Sequence, residues 1–328
     1  MEIYTPKESP DNEYRKEKKP EPEERVFPPR SELNEKLPIA EKWMLFVVGF
    51  LGFQLFGSLI NTFINVFVKN GTISSGTGGA LTLFISYLTI VLAFVLLLVF
   101  DRERNIIPIG KGFKNYKSYL FGLGGFVCLY LVNLVFTSLY SATVPDIYGA
   151  NANQDGIVTY AQSSPVIMFL TVVFLAPFLE ELTYRGGLLD IVGHKQKYRW
   201  LGLVLSAVLF GLIHFNGLIY LFIHQILSVD INSDLSQQLM AQYEITSAAQ
   251  AWNLYLNEWL NLPIYICMGL ILGGAYVLSG DISSSMTTHV LNNLLAMVQV
   301  LLLSSSALAS TGALSLFAFS SSQPLFLL

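Results

Sequence analysis

Seven stretches of this chain run for 16 to 26 residues without a charged side chain: Trp43–Val68, Gly78–Phe100, Ser118–Tyr140, Ser164–Leu179, Trp200–Ile223, Leu260–Ser279 and Ile282–Leu303. A helix needs about 20 apolar residues to cross the hydrocarbon layer of a bilayer. Backbone polar groups in lipid must find partners inside their own segment or in a closed barrel, so runs of this length dictate helices. The expected architecture is all-α, a polytopic transmembrane bundle of seven spans. Ala307–Leu328, Ser-rich and carrying Pro324, is a candidate eighth.

Charge is confined to the segments between these runs. Nine of the 19 Lys and Arg residues and 11 of the 23 acids precede Trp43, which leaves ten basic residues among the other 286. Residues 1–42 therefore read as a disordered charged tail and 43–328 as the membrane domain. The tail lacks the apolar core of a signal peptide. No cationic surface suggests nucleic acid, so the bilayer is the first partner implied. Cys128 and Cys267 each sit in an apolar run and read as small core residues, not as a disulfide or a nucleophile.

The basic side chains alternate between connections. Asp101–Lys117 and Gly193–Arg199 are Lys/Arg-rich, whereas Ser141–Gln162 and Gln225–Trp259 contain none. By the positive-inside rule the tail and both basic loops are cytoplasmic, in a multi-pass protein of a plasma membrane. Gln225–Trp259 is then an extracytoplasmic connection, read as two interfacial helices, the first capped by Asp234. Gly122, Gly124 and Gly125, inside a span, mark close helix packing.

Ionisable groups inside spans are expensive and so mark function. Glu180 and Glu181 end one apolar run. Glu181 and Arg185, four apart, face one another on a helix, and Glu180 points about 100° away, free to act as a general base. His214 follows Phe210 at the same spacing, deep in its own span. His289 and Asn293 share a helical face, and both carry groups able to donate to an oxyanion. Helical rise puts these groups roughly 12–22 Å from the cytoplasmic ends of their spans. Three helices thus bring polar side chains to one depth. His224, near the end of its run, reads as interfacial, and Asn292 as a packing residue.

The series Glu180-Glu181-x-x-x-Arg185, Phe210-x-x-x-His214 and His289-x-x-x-Asn293 resembles the CPBP family of CAAX prenyl proteases and Abi bacteriocin-processing proteins, over about 164–303. The resemblance implies a bacterial intramembrane glutamate-type endopeptidase without a cofactor. In it Glu180 and His214 activate a water, His289 and Asn293 stabilise the oxyanion, Glu181 and Arg185 hold the geometry, and Phe210 packs beside His214. The implied substrate is a peptide or protein, membrane-associated or prenylated. Three rival readings stand beside it. One is a zinc site at Glu180, His214 and His289, although no H-E-x-x-H motif is present. Another is a proton-coupled transporter, and the third a non-catalytic regulator or immunity scaffold of the same fold.

Overall fold

The structure, a computed structural model, describes residues 38–100, 115–149 and 151–304. The candidate span Ala307–Leu328, nearly all of the tail and most of Asp101–Lys117 lie outside the described residues. Every regular element among the described residues is helical. In chain order these are α1 (Ile39–Lys69), α2 (Ser75–Phe100), α3 (Tyr116–Thr143), α4 (Ala152–Ser163) and α5 (Pro165–Val192). After the short 3-10 turn Gln196–Tyr198 come α6 (Arg199–Ile213), α7 (Gly217–Val229), α8 (Asp234–Tyr243), α9 (Ala248–Ser279) and α10 (Ile282–Ser304).

Burial is inverted relative to a water-soluble bundle. Leu55, Leu59, Val166 and Leu218 are 68–71% exposed, while Glu181, Arg185, His289 and Asn293 are fully enclosed. Apolar side chains outside and charges inside are what a hydrocarbon solvent requires. Five described helices, α1, α2, α3, α5 and α9, are long and apolar enough to cross a membrane, or six if α6 and α7 form one span. The seventh run forms a 23-residue helix, α10, in which Ser, Thr, Asn and His sit among the apolar residues. Its polar face is covered, because α10 packs against α3, α5 and α9 at the middle of the bundle.

Small residues let these helices approach. A Cβ added to Gly122 or Gly125 of α3 would lie 2.6 Å from Thr287 or 2.5 Å from Thr288. The Thr288 hydroxyl donates to the Gly122 carbonyl at 2.8 Å. Gly124 meets no other helix and is not part of this contact. On the other side, Gly49 of α1 packs on Thr183 of α5, where a Cβ would overlap the Thr183 hydroxyl. Lys42, assigned by sequence to the tail, is a buried residue of α1 and pairs with Asp190 at 3.5 Å.

Three expectations are corrected. The fifth run is not one straight helix: it breaks after His214 and bends by 41° between α6 and α7. Gln225–Trp259 is not a connection with two helices of its own. Its first residues complete α7, α8 is capped by Ser233 in place of Asp234, and its last residues begin the 32-residue α9. Neither cysteine is a core residue, Cys128 being exposed on α3 and Cys267 half-buried.

Candidate active site

α5 is an irregular helix, and Pro177 sits just after the first of its irregular segments. The Ala176 N–H reaches back five residues to the Thr171 carbonyl, the spacing of a π-turn over Thr171–Leu175. The next donor in that register would be residue 177, and proline has no N–H. The Val172 carbonyl is thereby denied the donor that the π register would supply. Asn293 of α10 supplies one instead, its Nδ2 donating at 2.9 Å. A second π segment, Leu182–Leu189, follows the glutamate pair. Such bulges are frequent at functional sites because they re-aim side chains and free backbone groups.

Between the two bulges lie Glu180 and Glu181, with different surroundings. Glu181 is engaged at both oxygens: Oε1 accepts from His289 Nδ1 at 2.8 Å, and Oε2 lies 3.2 Å from Arg185 Nε. Arg185 in turn donates from Nη2 to the Gly269 carbonyl at 3.2 Å and lays its guanidinium over the Phe210 ring at 4.9 Å. Glu180 accepts at Oε1 from the Tyr87 hydroxyl at 2.9 Å. Its other oxygen, Oε2, faces His289 Nε2 at 3.8 Å, and among the described residues neither atom has a hydrogen-bond partner. That gap is too long for a direct bond and short enough for one water or carbonyl oxygen to touch both.

His214 joins the group through aromatic contacts. Its Nδ1 lies 2.8 Å from the Phe210 carbonyl, an acceptor only, so Nδ1 carries the proton and Nε2 is left as the acceptor. The ring lies between Phe210, 5.0 Å away, and Tyr265, stacked at 4.7 Å and 8°. Phe210 also meets the His289 ring edge-on at 6.3 Å. One phenylalanine therefore touches a residue of each motif. Glu180 and His289 both lie close enough to act on His214 electrostatically. Beside Glu180 a cavity of about 40 Å³ opens between α1, α2, α5 and α6, lined by Phe50, Phe53, Tyr87, Thr183, Tyr184 and Ile213. That is room for a water or two.

The structure thus gathers Glu180, Glu181, Arg185, Phe210, His214 and His289. Asn293 is one turn along from His289, turned to Val172, with its Oδ1 accepting from Asn292 at 3.2 Å. Asn292 is therefore more than a packing residue. Tyr87 and Tyr265 were not anticipated. The signal for Tyr87 was available, since it is the one tyrosine in its uncharged run and a phenol in mid-span needs a partner. Among the described residues no three His, Cys, Asp or Glu side chains converge as metal ligands.

A bundle of apolar helices enclosing a carboxylate, guanidinium and imidazole cluster defines a polytopic membrane protein with a buried polar site. Comparison with known proteins makes the class specific. Residues 162–295 match the family model described as type II CAAX prenyl endopeptidase Rce1-like. The likeness to that family is carried by this segment, which holds all three polar motifs. The UPF0177 protein YvdC of Lactococcus lactis subsp. lactis (strain IL1403) is 29% identical over 171 residues, 52% of this chain. The chain covers 58% of that relative's length. No solved structure matches the chain.

Proposed function

We propose that this chain is an intramembrane endopeptidase that uses Glu180 as general base. One observation carries the reading: Glu180 Oε2 and His289 Nε2 face one another at 3.8 Å, while Tyr87 and Glu181 hold the far atom of each group. A base and an oxyanion donor are then fixed side by side. Glu180, with His214 beside it, takes a proton from a water. The resulting hydroxide adds to the scissile carbonyl carbon. The oxyanion is stabilised by His289 in its imidazolium form, which donates from Nε2 while Nδ1–H is engaged by Glu181, and by the second hydrogen of the Asn293 amide, since only one is used on Val172. Glu180 returns its proton to the amide nitrogen, the C–N bond breaks, and a carboxylic acid and an amine leave.

The reading is of metal-free catalysis on a peptide or protein segment that enters from the bilayer, prenylated chains among them. The assigned setting is a bacterial plasma membrane with the N-terminus in the cytoplasm, supported by the alternation of basic connections and by the bacterial relative. The test is cleavage of a peptide library by the purified chain in nanodiscs, read by mass spectrometry with and without chelator. Cleavage that persists in chelator and is abolished by Glu180→Gln is expected. Full cleavage by Glu180→Gln would overturn the base assignment, and loss in chelator would overturn the metal-free one.

A further inference from the structure

We propose that a polar clamp on α9, made by Glu258 and Tyr265 together with Asn151, positions the His214 imidazole for the reaction. It rests on the reading of His214 as part of a proteolytic site, but its geometry stands apart from that reading. Tyr265 is fully buried and stacks on His214 almost parallel, at 8° and 4.7 Å. Its hydroxyl donates to Asn151 Oδ1 at 3.3 Å. Asn151 is itself buried and is the N-cap of α4, accepting from the Gln154 N–H at 3.0 Å. Rotation of the His214 ring is thus opposed by a second ring whose far end is tied to another helix.

The backbone next to His214 is held by the same face of α9. Glu258, 2% exposed, accepts from the Ala152 N–H at one oxygen and from the Asn216 N–H at the other, both at 2.9 Å. One carboxylate therefore joins the first residue of α4 to the break between α6 and α7, two residues past His214. Asn257 accepts from the Gly149 N–H at 3.0 Å and from Asn261 Nδ2 at 3.0 Å. Residues 257, 261 and 265 are four apart and line one side of α9, so the clamp is a continuous polar stripe.

Burying a carboxylate and several amides costs more than apolar packing would unless each is satisfied. Here the bonds converge on the ring and the chain break that carry His214. A helix that ends at its functional residue has no further turn to hold that residue. His214 is the last position before the 41° bend, and its Nδ1 bond to Phe210 alone leaves the ring free to swing about that contact. The stack and the carboxylate bridge supply the missing restraint. Tyr265 and Glu258 are accordingly positioning residues and touch no reacting atom.

The chain has four histidines, so ring signals of the isotope-labelled protein in nanodiscs can be assigned one by one by substitution. Tyr265→Leu is expected to move and broaden the His214 ring signals while those of exposed His194 stay in place. Tyr265→Phe, which keeps the stack but loses the tie to Asn151, should move them less than Tyr265→Leu does. On a cleaved peptide, Tyr265→Leu should lower kcat by roughly ten- to a hundredfold with KM unchanged, and Tyr265→Phe, keeping the stack without the tie, should fall between it and the parent. His214 signals that coincide in the parent and Tyr265→Leu would overturn the clamp. Should Tyr265→Leu fail to fold, Glu258→Gln decides: faster exchange of the Asn216 amide with displaced His214 signals supports the clamp, and unchanged His214 signals refute it. A parent chain that cleaves nothing would count against the proteolytic reading alone, because the ring signals judge the clamp independently.

Discussion

Glu180 and Glu181 are adjacent in sequence, yet their oxygens meet different partners. Glu181 is bonded to His289 and ion-paired with Arg185, whereas Glu180 is held at one oxygen by Tyr87 and turns the other to His289. Their substitutions should therefore differ in kind. Glu180→Gln retains a carbonyl for the Tyr87 hydroxyl, so cleavage is expected to vanish while resistance to unfolding in denaturing detergent stays at the parent level. Glu181→Leu instead strips a buried guanidinium of its carboxylate, a loss of about 3–5 kcal/mol, and should fail in that same unfolding assay. Asn293→Ala removes a carbonyl partner as well as an oxyanion donor. Its rate on a cleaved peptide should fall by about 10²–10³, read as kcat rather than KM.

At the scale of elements, the site depends on an irregular segment of α5 that Pro177 follows. Pro177→Ala would restore the N–H that the π register lacks, giving Val172 a donor within its own helix and displacing Asn293. The expected outcome is a chain at least as stable to thermal unfolding, with kcat lowered about tenfold or more because the amide is no longer held. Combined with Asn293→Ala, the second change should add little, since both act through one hydrogen bond. This coupling was not legible from residue order. The pairing of Glu181 with Arg185 was, because helical spacing alone brings positions four apart together and survives the π distortion. Tyr87 and Tyr265 are different: they act across helices, and no periodicity within α2 or α9 says which neighbour a phenol will reach. The break after His214 was likewise hidden, since the run from Trp200 to Ile223 is apolar on both sides of it and Asn216 is a weak signal by itself.

For the whole molecule, composition revealed the inverted burial but not the number of crossings. Uncharged length identifies a helix that can span, but it treats α10, largely enclosed by its neighbours, as equivalent to the more exposed α2. Topology turns on the bent pair α6 and α7, which serves either as one crossing or as a re-entrant hairpin returning to its starting side. The two arrangements differ in where α8 lies relative to the turn before α6. With Cys128 and Cys267 replaced by serine, a single cysteine at exposed Lys195 or at exposed Gln242 reports its side through labelling by an impermeant maleimide in intact cells. If the pair is one crossing, Gln242→Cys is labelled from outside and Lys195→Cys only after permeabilisation, in keeping with the basic turn Lys195–Arg199 facing the cytoplasm. Equal labelling of both sites before permeabilisation, or of neither, would make the pair re-entrant. His214 would then sit at the tip of a hairpin, and α9 would have to enter the bilayer from the cytoplasmic side with Glu258 near that surface.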